Sequence, residues 1–345
     1  MIRIAILGAG GLGRGMARVI EQRRGFQLVA LADRNGYAYN PNGIASTVLG
    51  ADLESVADLP EGLRSHEAIL DLMLAHGDQI DAIFMALPNL PVDFFAKTIE
   101  IIACETPFQG VVVDALKRTK AVELLLPLNE CLQENGITYV TGCGATPGFL
   151  TTVAAVAAQS FVEIEAIDIH FGVGVDGWEK YRATVREDIL HLPGYNAEKV
   201  AQMSDEDIKT LLDERGGIIE LVNMEHADDV ILEMAGVCDR SKISVGGKVD
   251  VRNAKKPCST TVTVKGITAM GQRSQHQFIV GDETTMVDNV CGPALGFMAR
   301  GVEMHNNGHT GLFTSADLMP KSSAEGLRLK ANELGREEAQ EEVLV

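Results

Sequence analysis

Ile2-Arg3-Ile4-Ala5-Ile6-Leu7-Gly8-Ala9-Gly10-Gly11-Leu12-Gly13 is the stretch that decides the fold. Its first half is a short apolar run rich in β-branched residues, the composition of a strand buried on both faces. Gly8, Gly10 and Gly13 follow in G-x-G-x-x-G spacing, and Met16, Val19 and Ile20 continue at helical spacing. Residues 26–32 read as a second strand ending at Asp33, about twenty residues beyond the last glycine. Strand, glycine loop, helix, strand and acid, in that order, make a dinucleotide-binding unit. Gly8 permits the tight turn, Gly10 lets the backbone approach a pyrophosphate, and Gly13 lets helix pack on strand. Gly11 and Leu12 complete the loop, and the positive end of the helix faces the phosphates. The carboxylate of Asp33 suits the adenosine ribose hydroxyls and favours NAD, whereas Arg34 would hold the 2′-phosphate of NADP.

The alternation continues through the first half of the chain. Residues 67–75, 94–102 and 122–134 have helical spacing, and residues 80–87, 110–114 and 137–140 read as strands. Strands alternating with helices predict a doubly wound parallel sheet, a Rossmann fold in the α/β class. Right-handed crossovers place the strand ends Leu87-Pro88-Asn89 and Asp114 to Lys117 along the cofactor crevice. Lys117 is therefore a candidate catalytic or substrate-binding residue.

After Gly148 the pattern changes. Residues 149–158 form a small-residue helix, and residues 163–171, 242–251, 259–267 and 276–280 alternate like strands with one face wet. A glycine-rich link spans residues 172–177, residues 178–235 mix helical segments, and residues 284–304 form a long apolar helix. The expected organisation is a nucleotide domain over 1–147 and an α+β substrate and dimerisation domain with a mixed or antiparallel sheet over 148–300. A terminal segment over 301–345 follows and ends in an acidic tail. Tyr37 and Tyr39 cover the adenine or pack the loop after Asp33.

Composition excludes several classes. The 345 residues carry 30 Lys and Arg against 48 Asp and Glu, a net charge of −18, which argues against nonspecific nucleic-acid binding. Six scattered cysteines form no C-x-x-C pair and no zinc spacing, which fits a reducing cytoplasm and predicts no metal. No apolar run approaches a membrane span. No G-x-S-x-G, H-E-x-x-H or P-loop is present.

The chemistry-bearing candidates are dispersed. Arg182 and Arg186 sit one helical turn apart, suited to holding a substrate carboxylate. His305 and His309 lie near the glycine turn at Asn306-Asn307-Gly308, and His309 and Lys117 are the proton-transfer candidates. Cys143 stands between glycines just beyond a strand. A thiolate there would attack an aldehyde, as in an aldehyde dehydrogenase.

Four segments carry a resemblance to the saccharopine reductase and meso-diaminopimelate dehydrogenase group. The opening Ile6 to Arg14 looks like the cofactor loop of those enzymes. Thr141-Gly142-Cys143-Gly144-Ala145-Thr146-Pro147-Gly148-Phe149 resembles the segment that leads into their substrate domain. Thr285 to Ala294 resembles a late helix of saccharopine reductases, and Gly308 to Thr314 is similar to a segment of the diaminopimelate enzymes. The resemblance implies a homodimeric NAD(P)-dependent oxidoreductase of amino-acid metabolism, moving hydride to or from a C–N bond of a small carboxylate-bearing substrate, with the segment 301–345 returning to the nucleotide domain. Thr146 departs from it, because these enzymes often carry Asp before Pro-Gly; Thr146 is kept as a substrate-binding candidate. Two alternatives stand beside this reading: the Cys143-dependent aldehyde dehydrogenase, and a nucleotide-binding redox sensor or scaffold without chemistry.

Overall fold

A computed structural model describes residues 1–50, 53–88, 91–175, 177–281 and 286–321. Asn89, Thr285 and the acidic tail lie outside the described residues. Thirteen strands run, among these residues, as β1 (Ile2–Leu7), β2 (Phe26–Asp33), β3 (Gly36–Tyr39), β4 (Gly62–Arg64), β5 (Ala82–Met85), β6 (Val111–Asp114) and β7 (Thr138–Thr141). They continue as β8 (Glu163–Gly174), β9 (Ile218–Leu221), β10 (Ile243–Asp250), β11 (Thr260–Ile267), β12 (Arg273–Val280) and β13 (Gly311–Thr314). The α-helices are α1 (Gly11–Gln22), α2 (Ala68–His76), α3 (Phe94–Glu105), α4 (Thr119–Glu123), α5 (Asn129–Glu134) and α6 (Phe149–Ala158). They are followed by α7 (Arg182–Leu190), α8 (Ala197–Gln202), α9 (Asp205–Glu214), α10 (Asp228–Met234) and α11 (Met286–Asn306).

The first sheet has the order β13-β7-β6-β5-β1-β2-β3-β4, with all neighbours parallel except the β2–β3 and β3–β4 pairs. Chain order reverses between β1 and β5, which makes their carboxyl ends the switch point where an α/β sheet opens a crevice. β5, β6 and β7 are fully buried, as continuous apolar runs in a parallel sheet must be. Met16, Ala17 and Ile20 of α1 pack on Ile4, Ile6 and Leu28, while α2 and α3 cover the other face.

Several elements depart from the sequence reading. Tyr37 and Tyr39 lie on β3; Tyr37 is buried, and Tyr39 stacks on His76 at 3.8 Å. They pack rather than cover adenine. The helix expected over 122–134 is divided by a 3₁₀ turn at Leu126–Leu128, where Pro127 cannot donate to a continuing helix. The boundary expected at residue 300 falls inside α11, which packs as one rod on α1, β6 and β7. The return to the first sheet therefore begins at α11 and closes with β13 beside β7.

The second sheet has the order β12-β11-β8-β10-β9, mixed because β8 and β10 are parallel. α6 covers one face, with Leu150 and Ala154 packed on Ile167, Ile169, Val262 and Val264. α7 and α9 form a further core with Ile219 and Leu221 of β9. No described helix is long and apolar enough to cross a membrane.

Candidate active site

A cavity of about 1070 Å³ opens at the switch point, lined by Gly8, Gly10, Gly11 and Leu12 on one wall and Ala86, Leu87 and Pro88 on another. Gly8 has φ +108° and a Cβ there would stand 2.3 Å from the Ala86 carbonyl oxygen, so only glycine closes this turn. Gly13 faces inward, where a Cβ would lie 1.9 Å from the Gly8 carbonyl oxygen. A Cβ on Gly10 or Gly11 would meet no atom within 4 Å. The N-cap of α1 is Gly10, with no side-chain cap and no acid in the first turn. The unpaired amides and the positive end of the helix dipole thus open into the cavity, an anion site that fits a pyrophosphate.

At the adenosine end, Asp33 is already engaged. Its Oδ1 accepts the amides of Asn35 (2.8 Å) and Gly36 (3.1 Å), and its Oδ2 accepts the amide of Val56 (2.7 Å). Arg34 is exposed, lines the cavity and makes no hydrogen bond or ion pair among the described residues.

The far end of the cavity reaches Thr184 and Glu187 of α7. There a buried charge cluster meets the end of β6. Lys117 Nζ lies 3.2 Å from Glu187 Oε2 and 3.6 Å from Asp188 Oδ1. Burial opposes the ammonium, but Asp188 and Glu187 outweigh it and raise the lysine pKa. Asp188 is pushed up, first by burial and then by the neighbouring Glu187, against the pull of Lys117. One ammonium is thus shared by two adjacent carboxylates, and burial shifts Asp188 toward its protonated form. Arg118 Nη1 stands 3.5 Å from Glu187 Oε1, and neither atom has a hydrogen-bond partner.

Asp114 positions this loop. Buried at the end of β6, its Oδ1 accepts the amides of Leu116 (2.9 Å) and Gly142 (2.8 Å), and Tyr139 donates to Oδ2 at 2.7 Å. Burial raises its pKa, and the donated hydrogen bonds only partly offset that. The loop before α10 is docked onto the same turn: Ala227 N–H donates to the Lys117 carbonyl (2.9 Å), and Thr119 donates to Asp229 (2.9 Å).

That docking also answers the departure at Thr146. Its hydroxyl donates to Asp228 Oδ2 at 2.6 Å, His226 Nδ1 donates to the same oxygen at 2.7 Å, and Thr151 donates to Oδ1. A buried carboxylate does stand beside the Pro-Gly turn, supplied from α10 rather than from position 146. Thr146 is thereby committed to Asp228.

Five other candidates do not serve this site. His309 precedes β13, and its carbonyl accepts the hydroxyl of Thr138 at 2.6 Å. Thr138 starts β7, so His309 sits at the edge of the sheet opposite the glycine loop. His305 lines a separate cavity at that same edge. Arg182 and Arg186 both bind Asp205, at 2.7 and 2.9 Å, and Arg186 also donates to the carbonyls of Val200 and Met203. They tie α7 to α8 and α9 and leave no fork for a substrate carboxylate. Cys143 is fully buried; burial, and then the charge of Asp114, push its thiol far up, which removes the thiolate the aldehyde mechanism needs. Glu187, Asp188, Arg118, His226 and Asp228 went unnoticed in the sequence, where only Glu187-Asp188 hints at a shared partner.

No protein-family model matches the sequence. Among solved structures, the chain is similar to a meso-diaminopimelate dehydrogenase variant from Clostridium tetani, with TM-score 0.55 and 14% identity over 92% of this chain and 95% of that one. It is similar to the C. glutamicum diaminopimelate dehydrogenase, with TM-score 0.55 and 16% identity over 92% and 94%. It is also similar to an amine dehydrogenase from Mycobacterium smegmatis, with TM-score 0.51 and 13% identity over 92% and 96%. These likenesses establish a Rossmann fold with a second sheet domain, so the resemblance to the diaminopimelate enzymes holds at the level of fold. In sequence the chain is 40% identical over 356 residues to the (S)-8-amino-7-oxononanoate synthase BioU of Haloferax mediterranei, covering 92% of this chain and 99% of that protein. With that identity over nearly the whole of both chains, the protein belongs to the BioU family.

Proposed function

We propose that this chain is an NAD(P)-dependent enzyme acting at the C–N bond of an amino ketone that carries a carboxylate, of the class of 8-amino-7-oxononanoate. The observation that carries the reading is a single cavity running from the open α1 amides to Glu187, at the edge of the Lys117–Glu187–Asp188 cluster. The BioU relative supports the substrate class through its name.

The amides of the glycine loop bind the pyrophosphate, and Leu87 and Pro88 hold the nicotinamide half. When bound, the dinucleotide supplies or accepts the hydride. The chain's own residues then orient the substrate and handle protons. Glu187 lines the cavity, and its carboxylate is the group there that suits a substrate ammonium. Lys117, held cationic, polarises the neighbouring carbonyl as a fixed positive charge. Asp188, with its raised pKa, takes or returns the proton of the amine through the cluster. Phe94 and Ile101 of α3 form apolar wall that limits water.

The exposed edge strand β12, with Phe278 and Ile279 on it, supports assembly with a second copy as a homodimer, which light scattering on the purified chain would measure.

The function is tested by mixing the chain with reduced dinucleotide, ammonium and the vicinal diketone corresponding to 8-amino-7-oxononanoate. The expected result is stoichiometric loss of reduced-nicotinamide absorbance and appearance of the amino ketone by mass spectrometry. If the dinucleotide stays reduced with that substrate, and stays oxidised with the amino ketone, the reading is wrong.

A further inference from the structure

The cysteines are scattered in the sequence, yet the fold brings two of them together. Cys104 sits in the last turn of α3 and is exposed, and Cys131 lies in α5 and is half-buried. Their sulfurs stand 3.2 Å apart across a sequence separation of 27 residues. Neither cysteine lines the dinucleotide cavity or the cavity at the opposite edge. α3 precedes β6 and α5 follows it, and both helices pack on one face of the first sheet. Ile99, Ile102 and Ala103 of α3 share a core with Leu132 of α5, and Cys131 packs against that core. The sulfur contact is therefore set by a packed layer.

The two thiols differ in what reaches them. Cys104 faces solvent, where a small molecule can meet it. Its pKa is pushed up to about 11, first by the hydrogen bond with Cys131, then by partial desolvation, with Glu100 and Glu105 adding negative charge. A lone surface thiol of that kind reacts slowly, because the thiolate is the nucleophile. A second thiol already in contact makes the next step intramolecular. Asn135 Nδ2 points at the Cys131 sulfur from 3.7 Å, a donor that steadies charge there during attack.

We propose that Cys104 and Cys131 are a modification site, a reversible dithiol–disulfide pair that a small-molecule disulfide closes, stapling α3 to α5 around β6. The Cys104 thiolate attacks one sulfur of the small disulfide, whose S–S bond breaks and releases one thiolate. Cys131 then attacks the mixed disulfide at the Cys104 sulfur, the protein bond forms, and the second small thiolate leaves. The two cysteines lose two electrons, the small disulfide gains them, and the two cysteine protons end on the released thiols. Glu100 and Glu105 beside Cys104 favour a neutral disulfide over an anionic one. The ring so closed contains β6, Asp114 and Lys117, so the bond restricts the unfolded states of the segment that carries the charge cluster.

The test is incubation of the reduced full chain with hydroxyethyl disulfide, followed by peptide mass spectrometry without reduction. The expected product is a Cys104–Cys131 bridge within one chain, two hydrogens lighter, reversed by dithiothreitol, with Cys143, Cys238, Cys258 and Cys291 free. Closing a ring of this length is expected to raise the midpoint of thermal unfolding by about 3–8 °C. Cys131→Ser is expected to stop at the mixed disulfide on Cys104, at least about tenfold more abundant than in the wild type. Circular dichroism checks the fold of the variant, and the wild-type peptide map decides the pairing without it. Both thiols still free at equilibrium, a mixed disulfide that persists on wild-type Cys104, or a bridge from either to another cysteine would overturn the pair. A bridge that moves the midpoint by less than about 1 °C would overturn the staple.

Discussion

Replacing Lys117 with Met tests whether the cluster at the end of β6 is charged in the folded protein. The side chain is 22% exposed, and its partners Glu187 and Asp188 are 8% and 7% exposed, so screening by water is weak. At an effective dielectric of about 20, each contact is worth roughly 4–5 kcal/mol before desolvation. Removing one partner of a buried pair costs about 3–5 kcal/mol, because the other charge stays buried without compensation. In Lys117→Met, Glu187 keeps Arg118 at 3.5 Å while Asp188 loses its ammonium, and the cheapest relief is to bind a proton. A carboxylate whose folded pKa exceeds its unfolded value stabilises most below the unfolded value, and loses that contribution as pH rises through the folded one. The deficit of the variant therefore grows with pH: about 1–2 kcal/mol at roughly pH 5 and about 3–5 kcal/mol at roughly pH 8. Urea unfolding of the wild type and Lys117→Met at both pH values measures this. Adding Glu187→Gln to Lys117→Met removes the like charge beside Asp188 and is expected to restore about 1–3 kcal/mol at the higher pH. A loss under about 1 kcal/mol at pH 8, or the same loss at both pH values, would refute the assignment of net charge to this cluster.

Gly10→Ala and Gly13→Ala separate binding from folding. The first meets no atom within 4 Å and is expected to keep stability within about 1 kcal/mol while weakening dinucleotide binding by at least about tenfold. The second collides with the Gly8 carbonyl and is expected to lower stability by more than about 2 kcal/mol, read by thermal unfolding. Iodoacetamide at neutral pH is expected to leave Cys143 unmodified in the native chain, by peptide mass spectrometry; rapid labelling with loss of activity would restore the thiol mechanism. Arg182→Ala breaks a half-exposed pair with Asp205 and is expected to cost no more than about 1 kcal/mol of stability and to leave KM unchanged; a large rise in KM would return Arg182 to the substrate site.

What could be read from the sequence was whatever has a fixed local spacing. The strand at Ile2–Leu7, the glycine loop and α1 lie within one short stretch, and each glycine has a separate steric reason to be there. β5 and β6 were visible because strands buried on both faces must be apolar throughout. β3, β4, β9 and β13 are only three or four residues long, too short to show a period, and β13 finds its partner far back in the chain at β7. The site was legible only where one residue type marks it. Lys117 stood out as a cation at a strand end, but its two carboxylates come from α7 and its backbone anchor from Ala227. The spacing of Arg182 and Arg186 correctly put them on one helix face, yet spacing carries no information on what faces them, and Asp205 does. Asp33 illustrates the same limit. Its position in the motif was plain, and the three amides that occupy it were not.

The way the first sheet closes governs how the chain is made. β13 lies against β7 with Gly311 opposite Thr138, and α11 presses on Val111 and Val140, where a Cβ on Gly301 would come within 2.8 Å of the Val111 side chain. The nucleotide-binding half therefore waits, during synthesis, for residues made well over a hundred positions after β7. Contacts spanning such long sequence separations slow folding, and until they form β7 is an open edge and the apolar side of β6 and β7 is bare. A fragment ending near Gly148 would carry every glycine of the loop and still expose that side to its neighbours, so it is expected to be insoluble on its own. The glycine-loop motif near the amino terminus thus depends for its surroundings on α11 and β13, the last helix and strand among the described residues.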